Sequence, residues 1–272
     1  MNVAILLSAY NGGKFLKDQL DSILNQTYKD WVLYIRDDGS TDDSLEIIDN
    51  YIKKDSRIKL LNDDVKHRGC KNSFLWLLKS VSADYYFFSD QDDVWLEDKI
   101  LQSLTVLESM PHNQPCLIAT DLQLVDCNLN TITSSMWDSN HIARLVKVPQ
   151  NIQIAPLFTG CTMAFNSATK TVTLQNLNNS HLPEILHDQL VALSVYKSNG
   201  YIKAIPNATI LYRQHGKNVI GAYTGQNIVG AKFRLLKKTL RQNLSYYKIV
   251  HKMLGTSPYI FIKLKLKHLF TY

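Results

Sequence analysis

Through its first hundred residues the chain alternates short apolar or β-branched runs with longer stretches of helical period, and this alternation constrains the fold more than any other feature. Val3 to Ser8, Trp31 to Arg36, Arg57 to Leu61 and Tyr85 to Ser89 read as strands, each bounded by polar or turn-forming residues. Between them Phe15, Leu16, Leu20, Ile23 and Leu24 recur at intervals of three and four, as do Leu45, Ile48, Tyr51 and Ile52, and then Phe74, Leu75 and Leu78. Strand and helix in strict succession predict an α/β fold: a right-handed, mostly parallel central sheet flanked by helices on both faces. Farther along, Leu96 to Met110 reads as a helix, Cys116 to Val125 and Thr162 to Phe165 as strands, Asp188 to Ser198 as a helix and Ala208 to Tyr212 as a last strand. The polar stretch from Asp126 to about Gln150, with Trp137 and His141 inside it, reads as an active-site flap or as an ordinary surface excursion.

A chain of 272 residues with 45% hydrophobic content can bury one large core, or one catalytic domain with a small appendage. Cys70, Cys116, Cys127 and Cys161 are widely spaced and form no C-x-x-C pair, so free thiols in a reducing cytoplasm are expected. Met1 to Leu7 lack the pattern of a signal peptide, and no run reaches the roughly 18 apolar residues of a spanning helix, so a cytoplasmic protein is expected. The net charge of +6 conceals a division. Asp188 is the last carboxylate side chain, so 14 of the 30 basic residues follow it unopposed and 16 face all 24 acidic ones, giving −8 and then +14. Such asymmetry predicts an anionic partner for the C-terminal end.

Ligands of open parallel sheets bind at the carboxyl ends of the strands, and here those ends are polar. The first strand runs into Ser8-Ala9-Tyr10-Asn11-Gly12-Gly13, the second into Asp37-Asp38-Gly39-Ser40-Thr41-Asp42 and the fourth into Asp90-Gln91-Asp92-Asp93. Part of the second segment is a turn and helix cap, with Ser40 or Thr41 capping and Asp42 and Asp43 favouring the helix dipole. Capping leaves Asp37 and Asp38 facing the crevice, where a carboxylate can accept the N3 hydrogen of uracil or thymine. Asp90, Asp92 and Asp93 crowd together after the apolar Tyr86-Phe87-Phe88, and a divalent cation relieves such repulsion. Hard oxygen ligands suit magnesium or manganese, with substrate phosphates completing the shell. Neither G-x-G-x-x-G after the first strand nor a G-x-x-x-x-G-K-[ST] loop is present, so a metal on the acidic cluster is the available means of holding phosphates.

These three segments, in this order and spacing, resemble an inverting family 2 glycosyltransferase with the nucleotide-diphospho-sugar transferase fold called GT-A. The resemblance covers about the first 220 residues and includes Ser89-Asp90-Gln91-Asp92-Asp93-Val94-Trp95. Leu186-His187-Asp188-Gln189 and Tyr212-Arg213-Gln214-His215-Gly216 resemble the bacterial branch that includes rhamnosyltransferases of cell-wall and capsular polysaccharide. The resemblance implies a catalytic domain over 1–225, its donor half about 1–110 and its acceptor half about 111–225, followed by a basic amphipathic helical extension over 226–272. It also implies roles. Ser8, Tyr10, Asn11, Asp37, Asp38, Asp90, Gln91 and Arg213 would bind the nucleotide-diphospho-sugar donor, with Asp38 at the base, Asp90 at the ribose or the metal shell and Arg213 at the diphosphate. Asp92, Asp90 and His215 would hold Mn2+ or Mg2+, and Asp93, Trp95 and His187 would support them. Asp188 would be the catalytic base, preceded by His187 where many members carry Glu. The expected reaction is a single displacement, in which Asp188 takes the proton of an acceptor hydroxyl as that oxygen attacks the anomeric carbon opposite the diphosphate. The branch favours dTDP-L-rhamnose, with UDP-hexoses open, and a glycan or lipid-linked saccharide as acceptor.

From Ala231 to Leu254, Phe233, Leu236, Leu240, Leu244, Tyr247 and Leu254 line one helical face, with Lys232, Lys237, Lys238, Arg241, Lys248 and Lys252 around the rest. This pattern fits an interfacial helix on an anionic membrane surface or a helix packed on the catalytic domain. Ile260 to Phe270 alternates Ile262, Leu264 and Leu266 with Lys263, Lys265 and Lys267, a period closer to that of a strand. Peripheral attachment to the inner face of the cell membrane is expected. Two rivals fare worse. A nucleotidyltransferase needs a longer glycine- and basic-rich loop than Gly12-Gly13-Lys14, and the basic tail matches no nucleic-acid module, so no nucleic-acid partner is expected.

Overall fold

The computed structural model describes residues 1–179, 185–215 and 232–269. In chain order its donor-side elements are β1 (Val3–Ala9), α1 (Gly13–Leu24), β2 (Trp31–Asp37), α2 (Ser44–Lys54), β3 (Ile58–Leu60), α3 (Cys70–Ser80), β4 (Tyr85–Ser89), β5 (Val94–Trp95) and α4 (Lys99–Glu108). There follow β6 (Cys116–Val125), β7 (Thr131–Thr133), α5 (Met136–Ser139), β8 (Met163–Asn166), α6 (Ser167–Asn179), α7 (His187–Lys197), β9 (Tyr201–Arg213), α8 (Lys232–Leu254) and α9 (Pro258–Leu269).

The strands form one sheet in the order β3-β2-β1-β4-β8-β6-β9-β5, with β7 beside β6. From β3 to β4 every pairing is parallel, as the alternation predicts. Beyond β4 the sheet becomes mixed: β8 runs antiparallel to both β4 and β6, while β6 and β9 pair in parallel. Side chains alternate between the sheet's two faces, so β1 feeds two cores. Val3, Ile5 and Leu7 join Leu16, Leu20 and Ile23 of α1 on one side. Ala4 and Leu6 join Phe74, Leu77 and Leu78 of α3 and Leu190 and Val191 of α7 on the other. A strand buried on both faces has to read as an unbroken apolar run, and Val3 to Leu7 of β1 do.

The stretch from Asp126 to about Gln150 is anchored to the core. Asp121 of β6 accepts from the Ser135 hydroxyl at 2.5 Å and from the Trp137 amide at 3.2 Å, and Trp137, Leu145 and Val146 are buried.

Two expectations at the C-terminal end are corrected. The buried stripe of α8 is Tyr246, Ile249, Val250 and Met253, rotated by one residue from the predicted face, and Leu244 is 55% exposed. The Tyr246 hydroxyl decides the rotation by donating to the carbonyls of Ile152 at 2.5 Å and Ala155 at 3.1 Å. Tyr247 turns instead to Phe261 of α9, their ring centroids 5.1 Å apart. Ile260 to Leu269 is helical rather than strand-like. Leucine and lysine are good helix formers, and no sheet edge meets this segment to make use of the alternation. The side chains of Lys232, Phe233, Leu236, Lys237, Lys238 and Leu240, together with Gly216, Phe270 and the boundary at 225/226, lie outside the described residues.

Candidate active site

The carboxyl ends of β2, β1 and β4 stand side by side, and their loops are tied together. The Tyr10 amide donates to Gln91 Oε1 at 2.7 Å, and Gln91 Nε2 returns a bond to the Tyr10 carbonyl at 3.1 Å. Asn11, in the left-handed region at φ 48°, accepts from the Thr41 amide and donates its own amide to Ser40. Ser8, half-buried, ends the apolar part of β1. The Asp37 carboxylate accepts from the Gly39 and Ser40 amides of its own turn. The α2 terminus is held by Asp42 rather than by Ser40 or Thr41: Asp42 accepts from Ser44 and, across the crevice, from the Gly13 amide at 3.0 Å. The reason is geometric, since Ser40 and Thr41 are turned toward Asn11.

Asp38 is 4% exposed. Arg36 donates to it at 2.6 Å, and the Arg68 and Gly69 amides each donate at 2.8 Å. Burial alone would raise this carboxyl, but these three donors overcome it and hold the group below the ordinary carboxylate range. The His67 amide bonds the Asp38 carbonyl, and the His67 ring meets half-exposed Tyr10 edge-on at 5.5 Å. His67 was not singled out in the sequence, where only its neighbourhood of charged residues marks it.

In the acidic cluster, Asp92 Oδ2 lies 2.7 Å from His215 Nε2, although the two are 123 positions apart. Burial, with the Asp92 and Asp188 carboxylates nearby, pushes Asp90 up to about 7. Asp93 is fully buried, accepts from the Arg213 amide and is likewise raised, by burial and by Asp90 and Asp92. Lys99 is buried beneath the cluster, its ammonium 4.9 Å from the Trp95 ring centre, and burial pushes it down to about 8. Ligand atoms of Asp90, Asp93 and Cys161 lie within 4.8 Å of one another. Asp93 and Cys161 are buried, and burial keeps the Cys161 thiol protonated. A hard divalent cation that also meets donor phosphate takes carboxylate and imidazole ligands, and Asp92 with His215, both part-exposed, offers such a pair.

Arg213, expected at the diphosphate, is 2% exposed. Its guanidinium reaches the Asp92 carbonyl at 2.9 Å, the Cys127 carbonyl at 2.7 Å and Asp18 at 2.8 Å. These contacts make it a clamp that holds β9 and the acidic loop together.

Asp188 is 7% exposed near the start of α7. Its Oδ1 accepts from the Gln189 amide at 2.7 Å, and burial pushes its carboxyl up to about 6 against that bond and a second from the Gly160 amide. The His187 ring stacks on Phe74 at 4.3 Å and meets Phe88 edge-on at 4.9 Å. Burial pushes it down to about 3, and both ring nitrogens lack a partner among the described residues. Burial keeps the ring neutral. Cys70, also missed in the sequence, opens α3 close enough to Asp90, Asp188, Asp92 and Asp38 that their charges, after burial, raise its thiol.

An α/β sheet whose strand ends carry the buried Asp38 beside an acidic, histidine-paired cluster fits a nucleotide-sugar transferase. The chain belongs to glycosyl transferase family 2, whose profile it matches over residues 4–171. It is 29% identical over 261 residues to the dTDP-rhamnosyl transferase RfbG of Shigella flexneri, covering 91% of this chain and 83% of that one. Its fold is similar to that of S. aureus TarS 1-349 in complex with UDP-GlcNAc, with a TM-score of 0.59, 16% identity and coverage of 98% of this chain and 73% of that one. The chain spans 60% of TarS 1-349 in a second crystal structure. The mannosyltransferase PcManGT from Pyrobaculum calidifontis, in complex with GDP-Man and Mn2+, also shares the fold, with a TM-score of 0.59, 15% identity and coverage of 97% and 73%. These neighbours are GT-A glycosyltransferases, and the chain is a glycosyltransferase that uses nucleotide-sugar donors.

Proposed function

We propose that this enzyme transfers a sugar, with inversion, from a nucleotide-diphospho-sugar to a hydroxyl of a glycan or lipid-linked saccharide during cell-surface polysaccharide synthesis. The observation that carries the reading is Asp188: a buried carboxylate near the acidic cluster, pushed up to about 6, is mostly ionised at neutral pH yet basic enough to accept a proton. Asp38 and Tyr10 receive the base. A carboxylate offers about four acceptor sites, and Arg36, Arg68 and Gly69 use three, leaving one for the N3 hydrogen of uracil or thymine. Ser8, Asn11 and Gln91 shape the recess, and Asp37 holds its turn. Asp92, Asp90 and His215 would hold Mn2+ or Mg2+, with Asp93 and Trp95 behind them; the cation would supply positive charge for the leaving diphosphate. Arg213 keeps the acidic loop in place, and Asp188 takes the acceptor proton as the hydroxyl oxygen displaces the diphosphate.

Likeness to the Shigella protein supports dTDP-L-rhamnose as donor. A UDP-hexose is the second reading, supported by likeness to the UDP-Glc-dependent β-1,3-glucosyltransferase WfgD of Escherichia coli. Donor hydrolysis measured across a panel of nucleotide sugars, with manganese, with magnesium and with chelator, tests both. A single preferred donor and loss of turnover in chelator are expected. Equal turnover in chelator would remove the metal from the proposal and leave the transferase standing. We further place the enzyme peripherally on the inner face of the cell membrane, on the strength of its carboxylate-free, basic C-terminal third.

A further inference from the structure

Past Asp188 the chain carries 14 basic residues and no acidic side chain, and α8 does not spend this stretch's apolar surface alone. The inward side of α9 is Phe261, Leu264 and Lys265, the last donating to Asn243 of α8 at 2.9 Å. The opposite side is open. Tyr259 is 72% exposed, Ile262 55% and Leu266 45%, although all three are large and apolar.

Positions i, i+3 and i+7 of a helix fall within about 60° of arc, so Tyr259, Ile262 and Leu266 make one continuous stripe. Lys263 and Lys267, both exposed, border it on one side, Lys263 lying 5.9 Å from the Tyr259 ring centre. On α8, Leu244, 55% exposed, stands next to the Asn243 that Lys265 bonds. A face of aromatic and aliphatic side chains edged by lysines, in a stretch of sequence without an acidic side chain, matches an anionic lipid surface in both chemistry and charge.

We propose that the outward face of α9, Tyr259, Ile262 and Leu266 with Lys263 and Lys267, is the surface on which the enzyme docks to an anionic lipid bilayer. The assignment rests on the peripheral placement above and names the surface responsible. It also orients the enzyme. The α8–α9 hairpin is fastened to the acceptor side of the sheet through Tyr246, which lies close enough to Asp188 for that charge to help raise its phenol, and through Thr256, which donates to Gln153 at 2.7 Å. Docking by α9 therefore brings the base and the acceptor side, rather than the nucleotide recess, toward the membrane.

The test is co-sedimentation of the full-length protein, at low salt, with phosphatidylglycerol–phosphatidylcholine vesicles and with phosphatidylcholine vesicles alone. The wild type is expected to partition onto the anionic vesicles only. The Ile262→Ser/Leu266→Ser pair is expected to lower that partition at least about tenfold, and Lys263→Gln/Lys267→Gln by about fivefold per lysine. Donor hydrolysis is expected to be unchanged in both pairs, because neither touches the strand ends. Should the serine pair misfold, the glutamine pair, which removes no apolar contact, still decides. Wild type that stays in the supernatant would overturn the peripheral placement itself. Wild type that binds while both variants bind equally would overturn only the assignment to α9. A serine pair that changes the oligomeric state in size exclusion and leaves vesicle binding intact would make the stripe a contact between copies of this chain.

Discussion

At Asp188 a single carboxylate sits where folding would rather have it neutral. Its carboxyl is raised from 3.8 to about 6, so the fold favours the acid form. Its contribution to stability is complete below the unfolded value and is lost as pH rises through about 6. Two outcomes follow for Asp188→Asn. Turnover falls by about 10² to 10⁴, and where wild-type kcat/KM climbs with pH to a plateau above about 6, the variant's residual rate is flat. Urea unfolding at pH 8 finds the variant more stable, by up to about 3 kcal/mol, an advantage that disappears near pH 4. Wild-type turnover in a folded Asn variant would remove Asp188 as the base. The carboxylate at this position is plain in the sequence; its raised basicity is not, because that comes from burial, which outweighs the Gln189 and Gly160 amides. His187 next to it is expected from the sequence as a supporting residue, and only the structure shows its ring packed on Phe74 and Phe88.

The β1–α1 loop, at the scale of an element, works by close approach. A Cβ on Gly12 would stand 2.2 Å from Gln91 Oε1, so Gly12→Ala forces the Gln91 side chain away and breaks both of its bonds to Tyr10. Because Gln91 can swing toward solvent, the fold survives. The expected result is a donor KM raised by about tenfold, worth ~1.4 kcal/mol, with the melting temperature nearly unchanged; an unaltered KM would mean that the staple does not shape the donor recess. The loop motifs were legible as a set, since Ser8-Ala9-Tyr10-Asn11, Asp37-Asp38-Gly39-Ser40-Thr41-Asp42 and Asp90-Gln91-Asp92-Asp93 all end strands. Their division of labour was not. Asp37 serves its own turn, and Arg213 clamps the loop through Asp92, Cys127 and Asp18, residues distant in sequence that only the sheet assembles.

Considered whole, the molecule carries its C-terminal hairpin inside the same core as α3 and α7, through Tyr246, Ile249, Val250, Met253 and Phe261. Large side chains contribute about 1.5–3 kcal/mol each when fully buried, and a domain's net stability is only ~5–15 kcal/mol. A chain ending at residue 240 is therefore expected to unfold at a much lower urea concentration than the full chain, with donor hydrolysis lost in step. An unchanged midpoint would show the hairpin to be an appendage. By itself the sequence determined the parallel half of the sheet and the polar, acidic character of its strand ends, because period and strand-end chemistry are local properties. The tertiary structure decided which of those groups meet: Asp92 with His215, Asp188 with the acidic cluster, and Tyr246 with two carbonyls that fix how α8 is turned. It decided as well which apolar stripe stays uncovered. Those outcomes depend on burial and on contacts between residues far apart in the chain, which no local pattern encodes.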